Sequence, residues 1–316
     1  MWTRIVDNAL QVLTVLALAP LASGVLKRLV ERLQSKIGPP VLQPYFDLWK
    51  AFHKDQVLSE HSTWIYRFTP YLAFVAPLIV VTLIPVLTDF PLYMAFMADM
   101  VGAGFILALA GFFTACAAID SANPYGALGA SRTRMVGFLV EPIFMMIFFA
   151  VSATANSTIP YIVQQQWVAS AGAFFAPSHL LLIVAFVMIV LAETGRIPVD
   201  NPSGHFELAM IDEAKSLEYS GRGAALMQWA GSMKLLVLLI VLLNVLLGPW
   251  GLAHDPSPLA VIAAIPLIAL KVLAAIIVLA VIEVSFSKLR LFRIPDFLGA
   301  AFVTAVMAMI ARIFYL

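Results

Sequence analysis

LAETGRIPVDNPSGHFELAMIDEAKSLEYSGRG, residues 191–223, joins one apolar run to the next. It holds Glu193, Asp200, Glu207, Asp212, Glu213 and Glu218, six of the chain's 18 carboxylates, with only Arg196, Lys215 and Arg222 as cationic partners. A simple turn between hydrophobic helices has no need of such charge, and loops held on a rigid scaffold are where chemistry and docking concentrate. Pro198 and Pro202 prevent a continuous helix from the preceding run. If 205–218 is helical, Glu207, Ile211, Ala214 and Glu218 stack on one face. Two carboxylates close together share a proton more readily than both ionise, which a relay near neutral pH needs. The competing reading is a solvated acidic face with Asp212 and Lys215 paired locally. His205 could titrate near neutral pH or serve as a docking contact, and Arg222 beside Glu218 reads as structural.

Outward from this stretch the chain is apolar. Of 316 residues, 62% are hydrophobic and 12% charged, with a mean hydropathy of +0.96. An average soluble chain is about 45–50% apolar and about 25% charged, so the fold class is an all-α polytopic membrane protein in a single integral membrane domain, 1–316. Spans of about 20 apolar residues are expected at 7–26, 70–88, 97–118, 135–155, 178–195, 224–248, 259–283 and 295–315. No cleavable leader is apparent, and the first run reads as a retained span. Fifteen of the 19 cations fall in loops 27–69, 119–134, 196–223 and 284–294, while 89–96, 156–177 and 249–258 hold none. The positive-inside rule then makes the charged loops cytoplasmic and puts both termini outside. No basic patch is dense enough for nucleic acid. After Gly38-Pro39-Pro40, QPYFDLWKAFHK reads as an amphipathic helix too short to span and suited to the bilayer interface.

Charges inside spans are costly and tend to mark ion or proton paths. Glu141, Glu193, Lys234 and Lys271 qualify, and Glu283 sits at the end of span seven; each could instead be a satisfied polar contact or a snorkelling end residue. Pro142, next to Glu141, is expected to break that helix locally. Gly104, Ala108, Gly111 and Ala115 read as a close-packing stripe on span three. Cys116, the single cysteine, reads as core packing. One thiol and five scattered histidines supply no iron–sulfur, nickel–iron or zinc ligand set, so no cofactor is expected in this chain and linked redox chemistry belongs elsewhere.

ETGRIPVD…EL…EYSG, SANPYGALGASR followed by Glu141, QSKIGPPVLQPYFDLWKAF and RLFRIPDFLGA resemble segments of one family: the membrane subunit shared by respiratory complex I (its subunit 1) and membrane-bound nickel–iron hydrogenases. That family includes formate hydrogenlyase subunit 4 and hydrogenase-4 component C. The resemblance implies a joint between a peripheral redox arm and an ion-pumping membrane arm. Carried onto matching positions, it implies a path through Glu141, Glu193, Asp200, Glu207 and Glu218, with Arg132 and Arg196 ordering the loop. Glu213, Lys234, Lys271 and Glu283 join that path by position. Where complex I subunits carry further acids, this chain has Ser203, Gly204 and His205, which places it nearer the hydrogenase branch and argues against a quinone site. Implied partners are the hydrogenase small and large subunits with their nickel–iron centre, an iron–sulfur subunit on the cytoplasmic side, antiporter-like membrane subunits and the lipid of a bacterial or archaeal cytoplasmic membrane. The rival readings are the quinone-chamber subunit of complex I and a stand-alone ion transporter, the latter weakened by the lack of an internal repeat.

Overall fold

A computed structural model describes residues 2–59, 62–92, 94, 97, 99–169, 175–201, 210–248 and 250–315. Backbone polar groups in lipid must find partners within the chain, which leaves helices as the default for apolar runs of this length. The helices are α1 (Trp2–Leu33), α2 (Gln43–Phe52), α3 (Trp64–Leu83), α4 (Met100–Asp120), α5 (Pro124–Ala155), α6 (Pro160–Ala169), α7 (Pro177–Glu193), α8 (Gly221–Ile240), α9 (Pro258–Ser285) and α10 (Ile294–Tyr315). Among the described residues, seven are long and apolar enough to cross a membrane; α7, the expected fifth span, has 17 residues. α8 is the central helix, with 78% of its most apolar stretch buried against 28–50% in the other six. It packs on α1, α2 and α3, while α7 packs against α5 and α10 and α9 lies along α1.

The expected spans are corrected in several places. α5 starts eleven residues before the expected 135, because Asn123 caps it by accepting from Tyr125 N at 2.8 Å and Pro124 follows at the first turn. Arg132 and Arg134 therefore stand on a helix rather than in a loop. Pro142 does not break α5, which runs through it. The small-residue stripe packs only in part: a Cβ at Gly104 would meet the Phe144 ring at 2.9 Å, whereas Gly111 has nothing within 4 Å and borders open space. Cys116 is half-buried rather than enclosed. In 156–177 a short helix, α6, occupies what reads in sequence as a plain loop. The amphipathic helix is α2, with Leu48 buried and Phe46 and Trp49 exposed.

α3 stops at Leu83, five residues short of the expected end, and Ile84, Val86 and Leu87 continue as buried irregular chain. Non-helical backbone at this depth needs partners. Gln11 Nε2 donates to Val81 O (2.6 Å) and Ile84 O (3.1 Å), and Gln11 Oε1 accepts from Leu87 N (3.3 Å). Asn244 Nδ2 donates to Pro85 O (2.9 Å) and Val86 O (3.1 Å) from a π-helix, Val241–Leu246, that continues α8.

Loop-to-loop bonds sort the connections onto two faces. On one, Thr63 donates through N and Oγ1 to Asp120 Oδ2 (2.8 and 2.9 Å), Val57 N to Ser220 Oγ (2.8 Å), and Leu289 N to Pro198 O (2.8 Å). On the other, Ala253 N donates to Leu87 O (2.8 Å) and Met100 N to Thr158 O (3.1 Å). The cation-bearing loops share the first face, the acidic-loop face.

Candidate functional site

α7 ends at Glu193, and its short length leaves that end inside the bundle. Glu193 Oε2 lies 2.5 Å from Lys234 Nζ, which stands 13 residues into α8, about 20 Å along it at 1.5 Å per residue. A carboxylate at a helix C-terminus opposes the helix dipole; the ammonium offsets this. Because α7 stops early, the chain after it dips inward. Thr194, Arg196, Asp212, Glu213, Lys215, Ser216 and Leu217 form the roof of a cavity of about 510 Å³, walled by α3, α4 and α8 and by Ser23 of α1. Six ionisable residues line it: Glu193, Arg196, Asp212, Glu213, Lys215 and Lys234. Glu193 and Lys234 also line a narrower pocket of about 30 Å³ with Glu141, room for about two waters.

The acidic loop is a knot rather than a helix. Over 210–218 the only regular element is a 3₁₀ turn, Glu213–Ser216, so the expected helix over 205–218 is not formed in its described part. Asp200, 2% exposed, explains why: its carboxylate accepts from Asn201 N (2.8 Å), Ile211 N (3.0 Å) and Asp212 N (2.9 Å), and meets Lys288 Nζ at 2.7 Å. These bonds hold 210–212 in bends. Arg132 donates to Met210 O (3.1 Å) and Thr133 Oγ1 to Ile211 O (3.0 Å), fastening the knot to α5. Arg196 pairs with Glu283 at 3.2 Å, with side chains only 13% and 3% exposed.

The residues expected on an ion path therefore separate. Glu193, Glu213 and Lys234 line the cavity, and Glu141 the adjoining pocket, where Arg134 meets it at 3.2 Å. Asp200 and Glu283 are tied into the loop knot. Glu218 is exposed and lines neither space, accepting from Asn123 Nδ2, and Arg222 is exposed. Lys271 lies apart, towards the opposite face, with its ammonium donating to Asn244 Oδ1 (2.7 Å), Gly248 O (3.1 Å) and Trp250 O (3.0 Å). Glu207 and His205 lie outside the described residues. Sequence reading passes over Lys288, which only its contact with Asp200 reveals, and the amides Gln11 and Asn244, which carry no charge to draw notice. Among the described residues no group of three or more His, Cys, Asp or Glu side chains could hold a metal ion.

The cavity's acids differ in protonation. Lys215 stands 2.5 Å from Asp212. Enclosure pushes the Asp212 carboxyl up, but Lys215 and Lys234 outweigh that and hold it below the usual range. Glu213 reaches solvent in part, yet loss of water around its carboxyl, then Asp200 and Asp212 nearby, push it up to about 6, against some relief from Lys27. A raised carboxyl keeps its proton in the folded state after the unfolded state has lost it. Its contribution is thus greatest at low pH and is lost as pH rises from about 4.5 through about 6. The thermal midpoint in detergent is expected to fall over that interval, and Glu213→Gln to flatten the fall; an unchanged profile in the variant would assign the transition to another group.

Comparison with known proteins agrees with this architecture. The family model described as NADH dehydrogenase matches residues 8–314. Formate hydrogenlyase subunit 4 of Escherichia coli is 32% identical over 306 residues, covering 96% of both chains. Hydrogenase-4 component C of the same organism is 26% identical, covering 94% of this chain and 92% of that one. A subunit of the NADH-quinone oxidoreductase of Rubrobacter xylanophilus is 25% identical over 79% of this chain and 76% of its own. A chain in the structure of the membrane-bound sulfane sulfur reductase, an archaeal respiratory membrane complex, shares the fold at a TM-score of 0.84 and 20% identity, covering 97% of this chain and 98% of that one. A bundle built around α8, a knotted acidic loop and a match from end to end lead to one assignment: this multi-pass membrane protein belongs to the NADH dehydrogenase family, with greater similarity to its hydrogenase-linked members than to the Rubrobacter oxidoreductase chain.

Proposed function

We propose that this chain is the membrane-anchoring and ion-coupling subunit of a membrane-bound nickel–iron hydrogenase of the formate hydrogenlyase or hydrogenase-4 type. The observation that carries the reading is the Glu193–Lys234 pair, half-buried between two apolar helices and shared by the large cavity and the pocket of Glu141. Intramembrane charge of this kind is costly to keep and is characteristic of ion and proton routes. In this reading the acidic-loop face is cytoplasmic and receives the hydrogenase large and small subunits and an iron–sulfur subunit, whose centres carry the electrons. Charge movement there shifts the balance among Glu213, Asp212 and Glu193. A proton or sodium ion then passes by way of Lys234 towards Glu141, whose side chain is 37% exposed and faces an adjacent antiporter-like subunit.

A second reading, the quinone-chamber subunit of complex I, draws on cavity size, since about 510 Å³ lies within the range of small-molecule sites. Six ionisable side chains around that space fit water and ions better than a largely apolar ring. Purification of the chain in mild detergent separates the two. Copurifying nickel with hydrogen evolution is the expected result. A flavin-containing complex with quinone-dependent NADH oxidation would replace it with the second reading, and isolation without partners would favour a free-standing transporter.

A further inference from the structure

The half of the bundle away from the acidic loop holds one buried ammonium, and its surroundings are unlike those of the cavity. Lys271 is 1% exposed and lies on α9 beneath the chain that follows the π-helix. Its three bonded neighbours are all acceptors: Asn244 Oδ1, Gly248 O and Trp250 O, at 2.7–3.1 Å. The Asn244 amide is oriented by its own donation to Pro85 O and Val86 O, so oxygen faces the lysine. Three acceptors need three N–H donors, which an ammonium has and a neutral amine lacks. The Trp250 ring, 4.8 Å from Nζ, adds its negative face. Among the described residues no carboxylate meets Lys271. The other ionisable groups of this half include Asp7, Asp99, His179, Arg312 and the Asp89–His254 pair, and none of these bonds to it.

Beyond the cavity, which it meets at Leu107, α3, α4, α5 and α8 close in an apolar layer that includes Val80, Ile84, Met100, Leu238 and Val241, around a void of about 10 Å³, too small for a file of water. The cavity's own carboxylates, Glu193, Asp212 and Glu213, lie on the acidic-loop side, and Asp7, Asp89 and Asp99 of this half make no bond to Lys271. We propose that Lys271 is an electrostatic seal, a fixed positive charge that stops cations from crossing this half, so that ions gathered at the acidic cavity leave sideways rather than through to the opposite face. Fixed positive charge excludes protons and cations from membrane pores by the same means. The neutral cage keeps the charge uncompensated while satisfying every N–H, and it pins the closing loop at Gly248 and Trp250.

The inference rests on the cavity being an ion compartment, but its leak measurement needs no electron donor. The membrane complex isolated through this chain is reconstituted in liposomes containing a pH dye, and passive proton entry is driven by a potassium diffusion potential. Fields of several kT change local ion concentrations by about 10- to 10³-fold, so Lys271→Met is expected to raise the leak at least about tenfold, and Lys271→Arg to restore tightness. Asn244→Asp places a carboxylate against the ammonium and is expected to leak as well, although Lys271 remains. Wild-type tightness in Lys271→Met overturns the seal. Leak in Lys271→Met with tight vesicles in Asn244→Asp also overturns it, leaving a packing role. Tight vesicles combined with lost turnover in Lys271→Met would make the lysine a path group, and the coupling reading would stand without the seal.

Discussion

Arg196→Leu is expected to lower stability by about 3–5 kcal/mol, the cost of leaving a buried charge without its partner. Glu283, only 3% exposed, would keep its charge in a site that no longer answers it. Arg196 also fixes the backbone, donating from N to Leu191 O (2.9 Å) and accepting at O from Val199 N (2.8 Å) and Asp200 N (3.0 Å). Leucine keeps these backbone bonds, so the expected loss comes from the ion pair and not from the turn that aims Asp200 into the loop. The check is thermal unfolding of the chain in detergent, together with its recovery in the assembled complex. Arg196→Leu/Glu283→Leu is expected to regain most of the loss, since removing both charges removes the uncompensated one. The Arg134–Glu141 pair gives the contrast: with side chains 34% and 37% exposed, its worth to stability is about 0–1 kcal/mol. An Arg196→Leu protein with the wild-type midpoint would show that the knot holds without this pair.

Lys234→Met should act on function rather than on assembly. Its side chain is 25% exposed in the cavity wall, so methionine fits the space while Glu193 loses the ammonium 2.5 Å away. A carboxylate deprived of its cation in a low-dielectric site takes up a proton and holds it. Ion movement per electron is expected to fall at least about tenfold, equivalent to about 1.4 kcal/mol or more on the coupled step, with electron transfer retained. Lys234→Arg should keep most coupling. The ratio is read in sealed vesicles, with gradient formation against substrate consumption. Full coupling in Lys234→Met would remove Glu193–Lys234 from the route.

Much of the membrane architecture is legible in the sequence because a span is announced by composition alone. Leu, Ile, Val and Ala in runs of about 20 admit few other structures. Positional detail is less accessible where local chemistry outweighs hydropathy, as with Asn123-Pro124 starting α5 early. The acidic loop is the clearest case. Stacking Glu207 and Glu218 at helical spacing supposes that side chains on one strip of sequence see one another. Asp200 instead collects three peptide N–H groups and Lys288, a partner 88 residues away, and bends the loop around itself. No periodicity encodes such a contact. In the same way, Pro85 marks where α3 must end, but nothing in the sequence says that Gln11 and Asn244 are the side chains that satisfy the broken end.

The brevity of α7 has a consequence for how the protein is made. Seventeen residues span about 25 Å, against a hydrocarbon thickness of about 30 Å. A helix of this length facing lipid would force the bilayer to thin around it. In the finished protein α7 is shielded by α5 and α10, so its mismatch is met by protein rather than by lipid. But α10 is the last of these helices to leave the ribosome. Until it arrives, α7 with Glu193 at its tip is a poorly matched segment awaiting its wall. Completion of α10 is the moment at which this short helix gains its protein wall.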